Sequence, residues 1–210
     1  MTGLEAELAA QGLAVLGGFY PTPDDALPGE TLLLIGPDGA NFWPHFTQCP
    51  EWANGRNNPV DRWSTRILSG IATAQGGTAL FPFGGPPYHP FYQWALRSGQ
   101  VWASPVALLV HATQGLFVSY RGALVLPRRM ELATAATKPC AGCAKPCLGA
   151  CPAHALTGAG YDVPRCHDYL STPAGQDCMV RGCAVRRACP VGQNLRSAAQ
   201  SAYHMQRFHA

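Results

Sequence analysis

The stretch KPCAGCAKPCLGACPAHAL, Lys138 to Leu156, sets Cys140, Cys143, Cys147 and Cys151 in the spacing C-x2-C-x3-C-x3-C-P. Cysteines this dense suit a redox metal cluster, a structural zinc ion or disulfides. The compartment separates these chemistries. The opening residues MTGLEAELAAQGLAVLGG carry acids where a secretory leader needs bases, and they lack a continuous apolar region. The longest apolar runs, TLLLIG and SPVALLVHA, are strand-sized and too short to span a bilayer. The reading is therefore a cytoplasmic protein without a membrane partner. In that reducing setting, nine cysteines argue for metal ligation over disulfides.

Outside this stretch lie Cys49, Cys166, Cys178, Cys183 and Cys189, and the last begins a second Cys-Pro pair. A four-iron cubane has four corners, each needing one thiolate. A tight loop reaches three of them, and the fourth ligand must come from elsewhere in the chain. The bacterial ferredoxin run C-x2-C-x2-C-x3-C-P works this way, its fourth cysteine serving the other cluster. Here one extra residue precedes Cys147. Proline after the distal cysteine turns the chain away from the cluster. Crossed donation then predicts two sets of metal ligands: Cys140, Cys143 and Cys147 with Cys189, and Cys151 with Cys166, Cys178 and Cys183. These use every cysteine except Cys49, which reads as a buried, inert thiol. Zinc is the competitor, since structural zinc also takes four cysteines. Only one C-x2-C pair is present, however, which favours two 4Fe–4S clusters.

Charged residues are only 13% of the chain, against 23 glycines and 19 prolines, so neutral groups and loops should cover much of the surface. A net charge of +3 is too mild to argue for nucleic acid. From Lys138 onward, though, eight basic residues face three acids. That excess suits anionic clusters, or the docking of an acidic electron-donor protein such as a flavodoxin, ferredoxin or reductase; a solvated basic surface is the plainer alternative. Before Pro127 the pattern alternates helix and strand without a βαβ rhythm. Helices are expected over 3–12, from the start of ANFWPHFTQ, over NPVDRWSTRILSGIATAQGG with Asn58 as cap, and in PFYQWALRSGQ. Strands are expected in LAVLGGFYP, ETLLLIGPDG and TALFPF, with an antiparallel pair in VALLVHATQGLFVSYRGALVL turning at Ala112–Gly115. RRMELATAATKP reads as a linker or edge segment. The division is thus an α+β part, residues 1–136, and a metal-dependent module, residues 137–210.

The second part resembles the iron–sulfur module of epoxyqueuosine reductase and the related corrinoid reductive dehalogenases. The resemblance rests on CAGCAKPCLGACPAHAL, RCHDYL around Cys166, and GCAVRRACPVGQN around Cys183 and Cys189. In such modules the closing stretch carries a further cysteine where this chain has Arg186, and Cys178 is the substitute. The first part is similar to the cobalamin-processing CblC family in LPGETLLLIGP, NPVDRWS and LLVHATQGLFVSYRGALVLP. Together these imply a nitroreductase-like antiparallel-sheet domain followed by a ferredoxin-like two-cluster module. They imply a corrinoid-linked oxidoreductase in which two 4Fe–4S clusters pass electrons to cobalamin. They also imply a corrinoid pocket using Tyr88, His89, His111 and Arg121, with the rings of Phe81, Phe83, Phe91, Tyr92 and Trp94 nearby. Against this stand the plain structural readings: His111 as a satisfied histidine at a turn, Arg121 as the partner of a carboxylate, and the rings as core.

Other functions fit less of the chain. A ferredoxin-type electron carrier without corrinoid is the runner-up, although such a carrier leaves the first part without a task. A tRNA-modifying enzyme lacks a repeat domain for gripping RNA. A flavoprotein lacks a distinctive phosphate-binding motif in residues 1–30.

Overall fold

The computed structural model describes residues 3–210. Its architecture is α+β, with small antiparallel sheets. In chain order the elements are α1 (Gly3–Ala9), β1 (Leu13–Phe19), β2 (Thr31–Pro37), α2 (Phe42–Phe46), α3 (Pro50–Ala53), α4 (Pro59–Ala74), β3 (Thr78–Leu80) and α5 (Phe91–Arg97). Then come β4 (Val101–Ala103), β5 (Leu109–His111), β6 (Gly122–Leu126), β7 (Leu156–Thr157), β8 (Gly160–Tyr161), α6 (Val163–Leu170), α7 (Gln176–Arg181), α8 (Ala184–Arg187) and α9 (Ala198–His209). Among the described residues no helix is long and apolar enough to cross a membrane.

Two compact units emerge, Met1–Val101 with Ser119–Ala136, and Trp102–Val118 with Thr137–Ala210. The first is organised by β2, whose residues TLLLIGP are buried throughout. An uninterrupted apolar run of this length marks a strand covered on both faces. It lies inside a four-stranded antiparallel sheet ordered β1-β2-β6-β3. β1 shifts register between Val15 and Gly18. A side chain at Gly17 would press a Cβ to 2.7 Å from Ser98, and its φ of +139° is one that residues with side chains rarely adopt. The helix α4 lays Trp63, Leu68, Ile71 and Ala72 into the core formed with Leu33, Ile35, Leu124 and Leu126. Phe42, Phe46 and Trp63 meet there with ring centroids 5.5 to 5.7 Å apart.

Local details differ from sequence expectation in two places. Asn58 precedes α4 in the left-handed conformation, and its side chain makes no capping hydrogen bond. Arg62 fastens this turn instead, donating to the carbonyls of Glu51, Arg56 and Asn57 and to Asn54 Oδ1. The antiparallel pair expected across residues 106–126 does not form either. The turn exists, as His111 and Gly115 exchange backbone hydrogen bonds of 3.0 and 3.1 Å. Beyond it, β5 belongs to a sheet with β4, whereas β6 pairs with β2 and β3.

The second unit takes in residues 102–118, which lie upstream of the expected boundary at 136. Arg186 Nη1 donates to the Leu116 carbonyl and Arg196 Nη2 to the Phe117 carbonyl, each at 2.7 Å. Those bonds hold the segment to residues far along the chain. Two small apolar centres support the unit. One joins Val106, Val110, Leu116, Leu156 and Val185 around Cys147 and Cys189. The other joins Leu170, Met205 and Cys178.

Candidate metal centre

Cys140 and Cys143 sit in a loop, Cys147 in the 3-10 turn Pro146–Gly149, and Cys189 just beyond α8. All four line one hollow, open to solvent and walled elsewhere by Val110, Leu116 and Val191. The extra residue before Cys147 has a clear geometric role. Lys145 occupies the left-handed region at φ 54°, and its amide donates to Cys143 Sγ at 3.3 Å. The chain thereby reverses, and Cys147 is carried inside with only 7% of its surface exposed. The fourth side of the hollow depends on a close crossing of backbones. A Cβ on Gly115, whose φ is +56°, would fall 2.1 Å from the Val191 carbonyl oxygen and 3.1 Å from Cys189 Sγ. Only glycine fits there.

Cys151, Cys166, Cys178 and Cys183 form the second neighbourhood. They come from the segment after the 3-10 turn, from α6, from α7 and from the residue preceding α8. Asp162 caps α6, its carboxylate accepting from the Arg165 amide at 3.0 Å, and this orients the turn that carries Cys166. The Ala155 amide donates to Cys151 Sγ at 3.3 Å. The Tyr161 hydroxyl beside Cys166 and the Ala184 backbone beside Cys178 favour the thiolate forms of those residues, against the burial that pushes both thiols up.

Electrostatics draws the same division. Burial first, then the sulfurs of Cys140, Cys189 and Cys143, push the Cys147 thiol up from its ordinary value; a hydrogen bond with its own backbone opposes them. Burial first, then Cys183, Cys151 and Cys178, push up the Cys166 thiol, against the Tyr161 hydrogen bond that favours the thiolate. The sulfurs acting on Cys147 are those of its own hollow, and those acting on Cys166 are Cys151, Cys178 and Cys183. Cys147 and Cys151 are close in sequence yet fall in different groups. Among the described residues no group of three or more Cys, His, Asp or Glu side chains could hold a single metal ion.

Cys49 stands apart in the first unit, half-buried against the aromatic core, with its thiol pushed up mainly by burial. The residues expected around a corrinoid are scattered. His89 stacks on Trp94 with ring centroids 5.6 Å apart, and Tyr88 beside it is 65% exposed. Phe91 and Trp94 are buried, Phe81 and Phe83 stack on each other, and Tyr92 is exposed. Arg121 forms an ion pair with Asp61 of α4 at 3.7 Å. His111 belongs to the second unit and is 5% exposed. Its Nδ1 accepts the amides of Thr113 and Gln114 at 3.0 and 3.2 Å, which puts the proton of the neutral ring on Nε2.

Sequence reasoning passed over Tyr161, whose phenol is pushed up chiefly by burial and then by its bond to Cys166. It also read Arg186 only as a missing cysteine. Gly-Tyr within a cysteine-rich segment carries no distinctive signal. The spacing Cys183-x2-Arg186-x2-Cys189, with a cation midway between two cysteines, was the visible clue for the arginine. Comparison of the chain with protein-family models, curated proteins and solved structures gave no match.

Proposed function

We propose that this chain is an iron–sulfur electron-transfer protein holding two 4Fe–4S clusters, with a corrinoid on the first unit as the electron acceptor. One observation carries the cluster assignment: the thiols divide into two groups of four, and Cys151 and Cys189 each join the group that lies farther away in sequence. A zinc ion would draw four sulfurs to about 3.8 Å of one another, given Zn–S bonds of about 2.3 Å in a tetrahedron. A cubane instead needs thiols set around an opening, and Cys140, Cys143, Cys147 and Cys189 lining one hollow support that reading. When bound, each cluster supplies a one-electron couple. The protein's part is to hold the ligands, donate amides to their sulfurs at Cys143 and Cys151, and exclude water from Cys147, Cys178 and Cys189.

The corrinoid half of the reading rests on the resemblance and on the exposed Tyr88 beside His89. The engagement of Arg121 with Asp61 favours the second reading, a ferredoxin-type carrier without corrinoid. Anaerobic purification followed by iron, sulfide and cobalamin titration tests both. About eight irons per chain, with visible spectral changes on adding micromolar cobalamin, is the expected result. Eight irons without cobalamin binding leaves the carrier, and a zinc-loaded protein overturns the proposal.

A further inference from the structure

Lys138 and Lys145 are the chain's only lysines, against thirteen arginines, and both belong to the loop that carries Cys140 and Cys143. The Ala141 amide donates to the Lys138 carbonyl at 3.1 Å, closing the turn on which Cys140 sits. Lys145 lines the hollow of Cys140, Cys143, Cys147 and Cys189, and Pro139, next to Lys138, lines it too. Both lysines are exposed, and among the described residues neither has a carboxylate within ion-pair distance. The second unit has only three side-chain carboxylates, and none lines this hollow. Asp162 caps α6, Asp168 lies within α6 and Asp177 within α7, the helices that carry Cys166 and Cys178. Arg181 and Arg187 are already paired with Asp177. The mouth of the hollow is therefore positive, whereas the helices of the other cysteine group hold every acid of the unit. The Leu148 amide donates to the Lys145 carbonyl at 3.1 Å, and Leu148 is 46% exposed, so an apolar group stands one turn from that cation.

We propose that the mouth of this hollow, rimmed by Lys138 and Lys145, is the docking surface for an acidic one-electron donor protein, so that electrons enter at the first cysteine group and not at the second. The assignment rests on the two-cluster reading and locates the face that its electron donor meets. Exposed ammonium groups are flexible, hydrated point charges, suited to a loose and reversible encounter more than to fixed bidentate pairing. Two cations on an open rim steer a carboxylate-rich surface toward it and raise the association rate, an effect that salt removes. Weak electron-transfer encounters use small interfaces and so need no large apolar patch. In the transfer the donor's one-electron couple is oxidised, one 4Fe–4S couple gains the same electron, and both lysines keep their protons. A nucleic acid is the rival polyanion, and the test separates it.

The test combines the reconstituted full-length protein with a reduced flavodoxin, an acidic one-electron donor, in two measurements. Zero-length carbodiimide coupling joins carboxylates to amines, and peptide mapping of the product should find the link at Lys138 or Lys145. In stopped flow at low salt, Lys138→Gln with Lys145→Gln should slow second-order reduction by about 2- to 30-fold, the effect of losing two exposed ion pairs, at equal iron content. Lys138→Arg with Lys145→Arg keeps the charge and should keep the rate. Arg165→Gln, which removes an exposed cation from α6, should change the rate little. High salt should erase the difference between wild type and the glutamine pair. Links confined to the amino terminus, equal rates in wild type and the glutamine pair, or a larger loss in Arg165→Gln each overturn the inference. If the glutamine pair does not assemble, an unchanged rate in Lys138→Gln alone overturns it. Lysine-dependent binding of transfer RNA without a flavodoxin link gives the face to nucleic acid and overturns it too. These failures at about eight irons per wild-type chain leave the two-cluster reading intact, whereas a chain lacking those irons removes the reading itself.

Discussion

Replacing cysteines in pairs distinguishes crossed donation from its simplest rival, in which the four consecutive cysteines of residues 140–151 share one cluster. Single substitutions discriminate poorly, because three remaining thiolates can hold a cluster that has lost one iron. With two ligands gone from one group, only two thiolates remain there, too few to hold a cluster. Cys147 and Cys189 line the same hollow, so Cys147→Ala with Cys189→Ala should empty one site and leave about four irons per chain. Cys147→Ala with Cys151→Ala breaks both groups at once, since Cys151 lies with Cys166, Cys178 and Cys183. Taking Cys166→Ala as well cuts the second group to two ligands, and the triple variant should hold no more than a damaged first cluster. The sequential rival predicts the reverse for the two doubles. The first would damage both sites, and the second would leave one cluster whole. Anaerobic reconstitution with iron and acid-labile sulfide counts reads the difference. A Cys147/Cys151 variant that retains an intact four-iron cluster would refute the assignment.

Gly115→Ala places a Cβ 2.1 Å from the Val191 oxygen at a φ of +56°, and should destabilise the second unit by about 2 kcal/mol or more while releasing iron from the first group, measured by iron content. Leu124→Ala, at a fully buried site in β6, should cost about 2 to 5 kcal/mol in denaturant unfolding of the first unit and leave iron content unchanged. The Arg97 guanidinium, then the Thr22 amide, hold the Asp25 carboxyl at about 2, below 3.8. Because the folded value is depressed, the stability it contributes is present above pH 3.8 and is lost as pH falls through about 2. Arg97 is 39% exposed, so screening reduces the effect, and Asp25→Asn should cost only about 1 kcal/mol at neutral pH. In acid unfolding, the gap between wild type and this variant should close near pH 2.

Features carried by local chemistry were legible in the sequence. The run TLLLIGP reads as a covered strand because seven consecutive residues, six of them apolar or glycine, leave no polar face. The helix α4 is marked by Pro59 at its start and by Trp63 and Ile71 eight residues apart. Features set by distant partners were not. Nothing local shows that the Leu116 and Phe117 carbonyls are taken by Arg186 and Arg196, which binds residues 102–118 to the second unit and separates β5 from β6. Asn58 has the composition of a cap, yet the proline after it and the reach of Arg62 place the fastening elsewhere.

The crossed ligand pattern also bears on how so small a unit holds together. One apolar centre of the second unit consists of Leu170, Met205 and Cys178, with partly buried residues packed around it. Leu170 and Met205 are a small apolar core for α6, α7 and α9, and on the two-cluster reading the ligands add to it. Cys151 leads the chain out of the first group into the second, and Cys189 brings it back, so the segment between them is closed at both ends and pinned at Cys166, Cys178 and Cys183. Metal affinity then becomes folding free energy. Removing the clusters should therefore loosen α6, α7 and α9 while leaving the four-stranded sheet of the first unit protected from hydrogen exchange.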